Sequence, residues 1–68
     1  MRTLKAEFLT DGSNKKYVEI AGTSTETKPV NDLIATGSLC LEVDTGDVYA
    51  FNESASEWNK IAALGGGS

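Results

Sequence analysis

The sequence predicts an all-β or mostly β protein, built as a small antiparallel sheet of two hairpins or a meander. Two segments with alternating apolar residues, 3–9 and 16–21, flank a cluster of turn residues at 10–14. Two more, 38–43 and 47–52, flank an Asp-Thr-Gly turn. Alternation with a period of two is typical of strands that bury one face, and Gly, Asp and Asn between such segments indicate turns. The pattern therefore predicts one hairpin in each half of the chain.

A long connector separates the two hairpins. Residues 22–32 contain few apolar side chains, and Pro29 favours an extended backbone at the residue before it. We therefore predict an extended connector. Val30, Leu33 and Ile34 are predicted to anchor its far end on the sheet.

The Asp-Thr-Gly turn leaves two registers for the hairpin around it. A two-residue loop would place Asp44 opposite Asp47 and split the apolar residues between the faces. A three-residue loop, Asp44-Thr45-Gly46, combines a type I turn with a left-handed glycine at a bulge. It puts four large side chains on one face: Leu39, Leu41, Tyr49 and Phe51. Cross-strand aromatic–aliphatic pairs contribute about 0.2–1 kcal/mol each, so we predict the three-residue loop.

The C-terminal segment fits both a strand and a short helix. Ser54-Ala55-Ser56-Glu57 matches a helix capping box, and Trp58, Ile61 and Ala62 recur at helical spacing. The same polar stretch is also a plausible turn, after which residues 57–61 would return as the last strand of a meander. The local pattern slightly favours the helix.

The length limits the chain to one small domain. We assign residues 1–64 to it and interpret the Gly-Gly-Gly-Ser at 65–68 as a flexible tail. A core of about 60 residues is marginally stable on its own. Cys40 is the single cysteine, which excludes an intrachain disulfide, and the chain has no histidine to help form a zinc site. Self-association would supply the missing buried area, so we expect a homo-oligomer.

Charge and hydropathy exclude two classes of partner. The net charge is −4 and the six Lys and Arg residues are mostly scattered, whereas nucleic-acid binders cluster basic residues to replace counterions. The sequence contains no apolar run of membrane-spanning length, and its first residues lack the apolar core of a signal peptide. We therefore expect no nucleic-acid or membrane partner, and synthesis in a cytoplasm.

Several residues that could carry chemistry have a simpler structural interpretation. Asp44-Thr45-Gly46 matches the catalytic triplet of aspartic proteases, but the second block and the flaps of those enzymes are missing, so we interpret it as a turn. Acidic side chains near the turns could bind calcium, but without EF-hand spacing we interpret them as solvated: Glu42, Asp44, Asp47 and Glu53. We predict no enzyme activity, no catalytic residue, no metal and no cofactor.

The cysteine and the aromatic residues are predicted to pack. Cys40 has no histidine to activate it, and alternation places it on the face opposite Leu39 and Leu41 as a small packing residue. The aromatic rings are predicted to supply core area in a chain with few large side chains. Trp58 and Tyr17 are the candidates for an interaction surface.

Several blocks between Tyr17 and Ile61 resemble, in order and spacing, small virion proteins encoded by tailed bacteriophages and prophages. The blocks are Tyr17-Val18-Glu19-Ile20, Gly22, Ser24-Thr25-Glu26-Thr27-Lys28-Pro29, Gly37-Ser38, Glu42, Asp44-Thr45-Gly46, Tyr49, Phe51 and Trp58. They span roughly two-thirds of the chain. The resemblance favours a strand at 57–61, which we adopt as the prediction, with a short C-terminal helix as the alternative.

The resemblance implies a non-enzymatic structural protein of the virion, such as a head fibre, a capsid decoration protein or a tail-associated component. Such a protein is made in the bacterial host cytoplasm and docks with copies of itself and with other virion proteins. Two alternatives remain open. A small acidic phage protein could inhibit a host factor by imitating nucleic-acid charge. A carbohydrate-binding module would need Trp58 and Tyr49 exposed together.

Overall fold

The computed structural model describes residues 1–64, and within them the chain forms a single five-stranded sheet and no helix. The strands lie in the sheet in chain order: β1 (Arg2–Phe8), β2 (Lys16–Gly22), β3 (Leu39–Glu42), β4 (Asp47–Asn52) and β5 (Glu57–Ala63). The all-β prediction is confirmed, and the C-terminal segment is the predicted strand rather than a helix. The tail assigned to 65–68 lies outside the described residues. Since the described part has no helix, none of its elements is a candidate membrane-spanning helix.

The sheet is mixed rather than wholly antiparallel. The pairs β1–β2, β3–β4 and β4–β5 are antiparallel as predicted, but β2 and β3 run parallel, with Ile20 opposite Cys40. A parallel pair needs a long crossover, because the chain must return to the starting end of the sheet before it enters the next strand. Residues 23–38, called the connector below, make this return.

The register of the β3–β4 hairpin corrects the sequence prediction. Leu41 lies opposite Val48, and Leu39 lies opposite Ala50. Neither the three-residue loop nor the two-residue loop gives these pairs. The four large side chains predicted to share a face are divided, the leucines on one face and the aromatic rings on the other: Leu39, Leu41, Tyr49 and Phe51.

The loop itself explains the shift. It contains four residues, 43–46, and the Gly46 N–H donates to the carbonyl oxygen of Glu42 at 2.8 Å. The Val43 N–H donates to the carbonyl oxygen of Gly22 at 2.8 Å, so Val43 bonds to β2 and not to β4. Gly46 has φ of 78°, the left-handed conformation predicted for it, which L side chains rarely adopt.

The core lies between one face of the sheet and the connector. Ile20, Cys40 and Phe51 are buried on the sheet side, and Ile34 and Ala35 on the connector side. Of the three residues predicted to anchor the connector, only Ile34 is buried, while Val30 and Leu33 are more than half exposed. A main-chain bridge to β2 explains why Ile34 is the anchor. The Lys16 N–H donates to the Leu33 carbonyl oxygen at 2.7 Å, and the Ala35 N–H donates to the Lys16 carbonyl oxygen at 2.8 Å, so the backbone on both sides of Ile34 is bonded to Lys16.

Candidate docking surface

The connector covers one face of the sheet, which we call the covered face. The face carries side chains from β2, β3, β4 and β5: Val18, Ile20, Cys40, Glu42, Tyr49, Phe51 and Trp58. The Lys28 ammonium lies 2.5 Å from a Glu42 carboxylate oxygen and 4.2 Å from the centroid of the Tyr49 ring. The Trp58 Nε1–H donates to the carbonyl oxygen of Pro29 at 2.8 Å. These contacts fix the connector against the sheet along its length.

The ion pair between Lys28 and Glu42 is mostly removed from water. The Lys28 side chain is 17 % exposed and that of Glu42 is 6 % exposed. Thr45 Oγ1 donates to the other Glu42 oxygen at 2.9 Å, so both carboxylate oxygens are bonded. Burial acts to lower the pKa of Lys28, but the hydrogen bond to Glu42 and its negative charge outweigh this, and the net pKa is raised above 10.5.

The Asp-Thr-Gly turn is bonded to the start of the connector. The Ser24 N–H and hydroxyl donate to the two Asp44 carboxylate oxygens at 2.9 and 2.6 Å. The pKa of Asp44 is lowered from 3.8, chiefly by the Ser24 hydroxyl and also by backbone N–H groups, which favour the ionised form. Asp44, which the sequence analysis placed in the turn, therefore also holds the connector to that turn.

The acidic side chains considered for calcium do not converge. Each has its own partner: Glu42 with Lys28, Asp44 with Ser24, Asp47 with Lys60, and Glu53 with Thr36. Among residues 1–64, no group of three or more His, Cys, Asp and Glu side chains has the arrangement of a metal site. The carboxylates act instead as links between strands, turns and connector.

Cys40 and the aromatic residues occupy different places on the sheet. Cys40 is fully buried on the face opposite Leu39 and Leu41, as predicted, and burial raises the pKa of its thiol. Trp58 packs on Phe51 with 5.1 Å between ring centroids, so it belongs to the covered face.

Tyr17 lies on the other face, where its hydroxyl donates to Glu19 at 2.6 Å. The two residues predicted as an interaction surface, Trp58 and Tyr17, therefore lie on opposite sides of the sheet. The Lys28 ammonium covers the ring of Tyr49, so Tyr49 and Trp58 do not form a bare aromatic platform.

A cleft of about 200 Å³ lies between the connector and the sheet. Its walls are largely apolar and include Val18, Ile20, Pro29 and Ile34. Pockets that hold cofactors or drug-sized ligands usually measure about 300–1,000 Å³. The cleft is smaller than such sites, and neither of the two candidate interaction residues, Trp58 and Tyr17, lines it.

The second side of the sheet, called the open face below, lacks such a covering segment within the described residues. Its members come from the three central strands: Tyr17, Glu19, Ala21, Leu39, Leu41, Val48 and Ala50. All of them are half-buried, while β3 alternates between half-buried residues on this face and fully buried residues on the covered face. The connector contacts described above go to the covered face or to the turns at its ends, and none goes to the open face. A predominantly aliphatic surface at the centre of the sheet is therefore left accessible to another molecule.

Sequence reasoning found part of this surface and missed the rest. Leu39 and Leu41 were singled out, but with aromatic partners that lie on the covered face. Val48 and Ala50 were missed, because the register that brings them beside the leucines depends on the bond from Val43 to Gly22. The alternation of apolar residues in β4 was the available signal, but it fits both the predicted register and the observed one.

Comparison of the chain with protein-family models, curated proteins and solved structures gave no match. The resemblance to phage virion proteins therefore stays a prediction. The blocks on which it rests have a clear structural role, since Ser24, Lys28 and Pro29 of one block bond to Asp44, Glu42 and Trp58 of the others.

Proposed function

We propose that this chain is a non-enzymatic structural component of a bacteriophage virion, a head fibre, capsid decoration or tail-associated protein. It acts by docking to copies of itself and to other virion proteins. The observation that supports this most is the open face, a mainly aliphatic surface on a domain whose other face holds the connector.

The physical reason is the balance of buried area. Burying an aliphatic side chain completely contributes about 1.5–3 kcal/mol relative to leaving it exposed. Leu39, Leu41 and Val48 are half-buried, so docking would recover up to about 1 kcal/mol from each, at a cost in association entropy. A domain of this size gains proportionately more from such contacts than a large one.

The test is the composition of purified particles of the phage that encodes the chain. We expect mass spectrometry to find the polypeptide at a constant copy number per particle after density-gradient purification. A matched pair of variants then probes the surface: Leu41→Lys on the open face and Val43→Lys in the adjoining loop, where the side chain is 61 % exposed. Leu41→Lys should reduce incorporation and Val43→Lys should not. Particles that never contain the polypeptide would refute the proposal.

A further inference from the structure

Within residues 1–64, β1 is the edge strand at one side of the sheet, and it is exposed along its whole length. All seven residues of Arg2–Phe8 are exposed, including Leu4 at 58 % and Phe8 at 64 %. An edge strand presents unpaired N–H and C=O groups to solvent and is a natural place for another strand to add. Charged side chains and a bulge normally discourage such pairing, and β1 has both, with the bulge between Thr3 and Lys5.

The hydrogen bonds to β2 determine which backbone groups of β1 are free. The Leu9 N–H donates to the Lys15 carbonyl oxygen at 2.9 Å, just beyond the end of β1. Bonded and non-bonded pairs alternate in an antiparallel ladder. Lys5 and Glu7, two and four residues before Leu9, therefore bond to β2, while Ala6 and Phe8 direct their N–H and C=O groups to the free edge.

We propose that β1 pairs with β1 of a second copy, antiparallel, about a twofold axis that passes through Ala6. The sequence Leu4-Lys5-Ala6-Glu7-Phe8 is complementary to itself in this register. Ala6 meets Ala6 of the second copy, Lys5 meets Glu7, and Leu4 meets Phe8. The result is one sheet that runs continuously through both copies, with an isologous interface.

Geometry and charge select this register over its neighbours. Residues whose N–H and C=O groups face the free edge must lie opposite residues of the same kind in the second copy. This excludes a register shifted by one residue. The next allowed registers are centred on Lys5 or on Glu7, and each places like charges opposite each other at the axis, which is destabilising. The register on Ala6 instead forms two Lys5–Glu7 pairs per dimer, at the non-hydrogen-bonded positions where side chains approach most closely.

The side chains of β1 are already arranged for these contacts within one copy. Lys5 and Glu7 lie on the same side of the strand, with 3.2 Å between the Lys5 ammonium and the Glu7 carboxylate. Phe8 lies under the Lys16 ammonium at 5.2 Å and keeps most of its ring exposed. The charges that discourage pairing in other registers therefore favour it in this one.

The interface is small, so the dimer is expected to be weak and concentration-dependent. Sedimentation equilibrium of the purified chain should show monomer at about 1 µM and a growing dimer fraction towards about 1 mM. This test needs no virion, so its result is independent of the proposed function. A chain that stays monomeric over the whole range would refute the edge-strand dimer and leave the virion proposal standing.

Charge variants test the pairing. Lys5→Glu places two acidic pairs across the axis and should weaken the dimer by about tenfold or more. The exchange variant Lys5→Glu/Glu7→Lys restores opposite charges and should restore the dimer. Lys60→Glu on β5 makes the same change of net charge on the opposite edge and should leave the dimer unchanged. Equal weakening by Lys5→Glu and Lys60→Glu would overturn the assignment to β1.

Two further variants test the backbone and the register. Ala6→Pro removes an N–H that is not bonded to β2, so the sheet should persist by circular dichroism while the dimer disappears. Ala6→Cys, in a Cys40→Ala background, should form an intermolecular disulfide on mild oxidation, because Cα atoms of a bonded pair lie about 5.5 Å apart. Thr3→Cys in the same background should not. A dimer that survives both Ala6→Pro and Lys5→Glu would show that another surface pairs the copies.

Discussion

The ion pair between Lys28 and Glu42 is predicted to be the contact whose loss most destabilises the fold. It joins the connector to β3 across 14 residues of sequence, and the carboxylate is only 6 % exposed. Replacing Lys28 with Met keeps a long side chain but removes the ammonium, so the buried Glu42 side chain retains the Thr45 hydroxyl as its remaining side-chain partner. A buried charge that loses its counterion is destabilising because protein cannot replace the solvation it has given up.

The magnitude follows from the burial of the two groups. Removing one partner of a fully buried pair costs about 3–5 kcal/mol. Lys28 keeps 17 % of its side-chain area exposed, so water can reach the site in part, and we expect about 2–3 kcal/mol for Lys28→Met. A domain of this size has about 3–9 kcal/mol of stability in total. The melting temperature should therefore fall by roughly 8–24 °C.

The assay is urea denaturation of the wild type, of Lys28→Met, of Glu42→Gln and of the double variant. The double variant leaves no buried charge without a counterion. It should therefore be more stable than the sum of the two single changes predicts, with a coupling of about 1–3 kcal/mol. Lys60→Met is the control, since the Lys60–Asp47 pair has an ammonium on a half-exposed side chain and should contribute under about 1 kcal/mol. A cost for Lys28→Met no larger than that of Lys60→Met would refute the reasoning.

The remaining predictions concern titration and the core. The pKa of Lys28 is raised above 10.5 in the folded state. The stability that its charged form contributes is therefore complete below pH 10.5 and is lost as pH rises through the folded pKa. Denaturation curves of Lys28→Met should lack this loss of stability at alkaline pH. Hydrogen bonds to the terminal amine and to the Thr36 N–H, respectively, lower the pKa values of Glu26 and Glu53 from 4.5, so stability should fall as pH drops below 4.5, and Glu53→Gln should reduce that slope. Ser24→Ala should raise the pKa of Asp44 towards 3.8, as followed by NMR titration of the carboxyl carbon. Cys40→Ser should destabilise the fold by about 1–3 kcal/mol, because it buries a hydroxyl in a site that Cys40 fills as a weakly polar group, and Cys40→Ala should cost less in the same denaturation assay.

Local pattern was sufficient for the strands and insufficient for their register. Alternation and turn residues predicted β1, β2 and the Asp-Thr-Gly hairpin within a residue or two, because these signals come from neighbours in sequence. Burial of Glu42 could not be predicted in that way. The usual rule places a carboxylate in solvent, and the rule fails here because Lys28 reaches Glu42 from the connector. A different long-range contact, the bond from the Val43 N–H to Gly22, accompanies the register that places Leu39 and Leu41 on the open face and not in the predicted core.

The blocks that suggested a phage virion protein turn out to describe how the connector is held to the sheet. Ser24 bonds to Asp44, Lys28 to Glu42, and the Pro29 carbonyl to Trp58, so the Ser24–Pro29 block contacts three of the other blocks. Residues that must match across a long crossover are expected to occur together wherever this crossover is built. A protein with the same blocks would therefore be expected to build the same crossover, whatever it docks with. Docking to other molecules should use the surfaces that these contacts leave free. In this chain they are the aliphatic side chains of the open face and the exposed edge of β1.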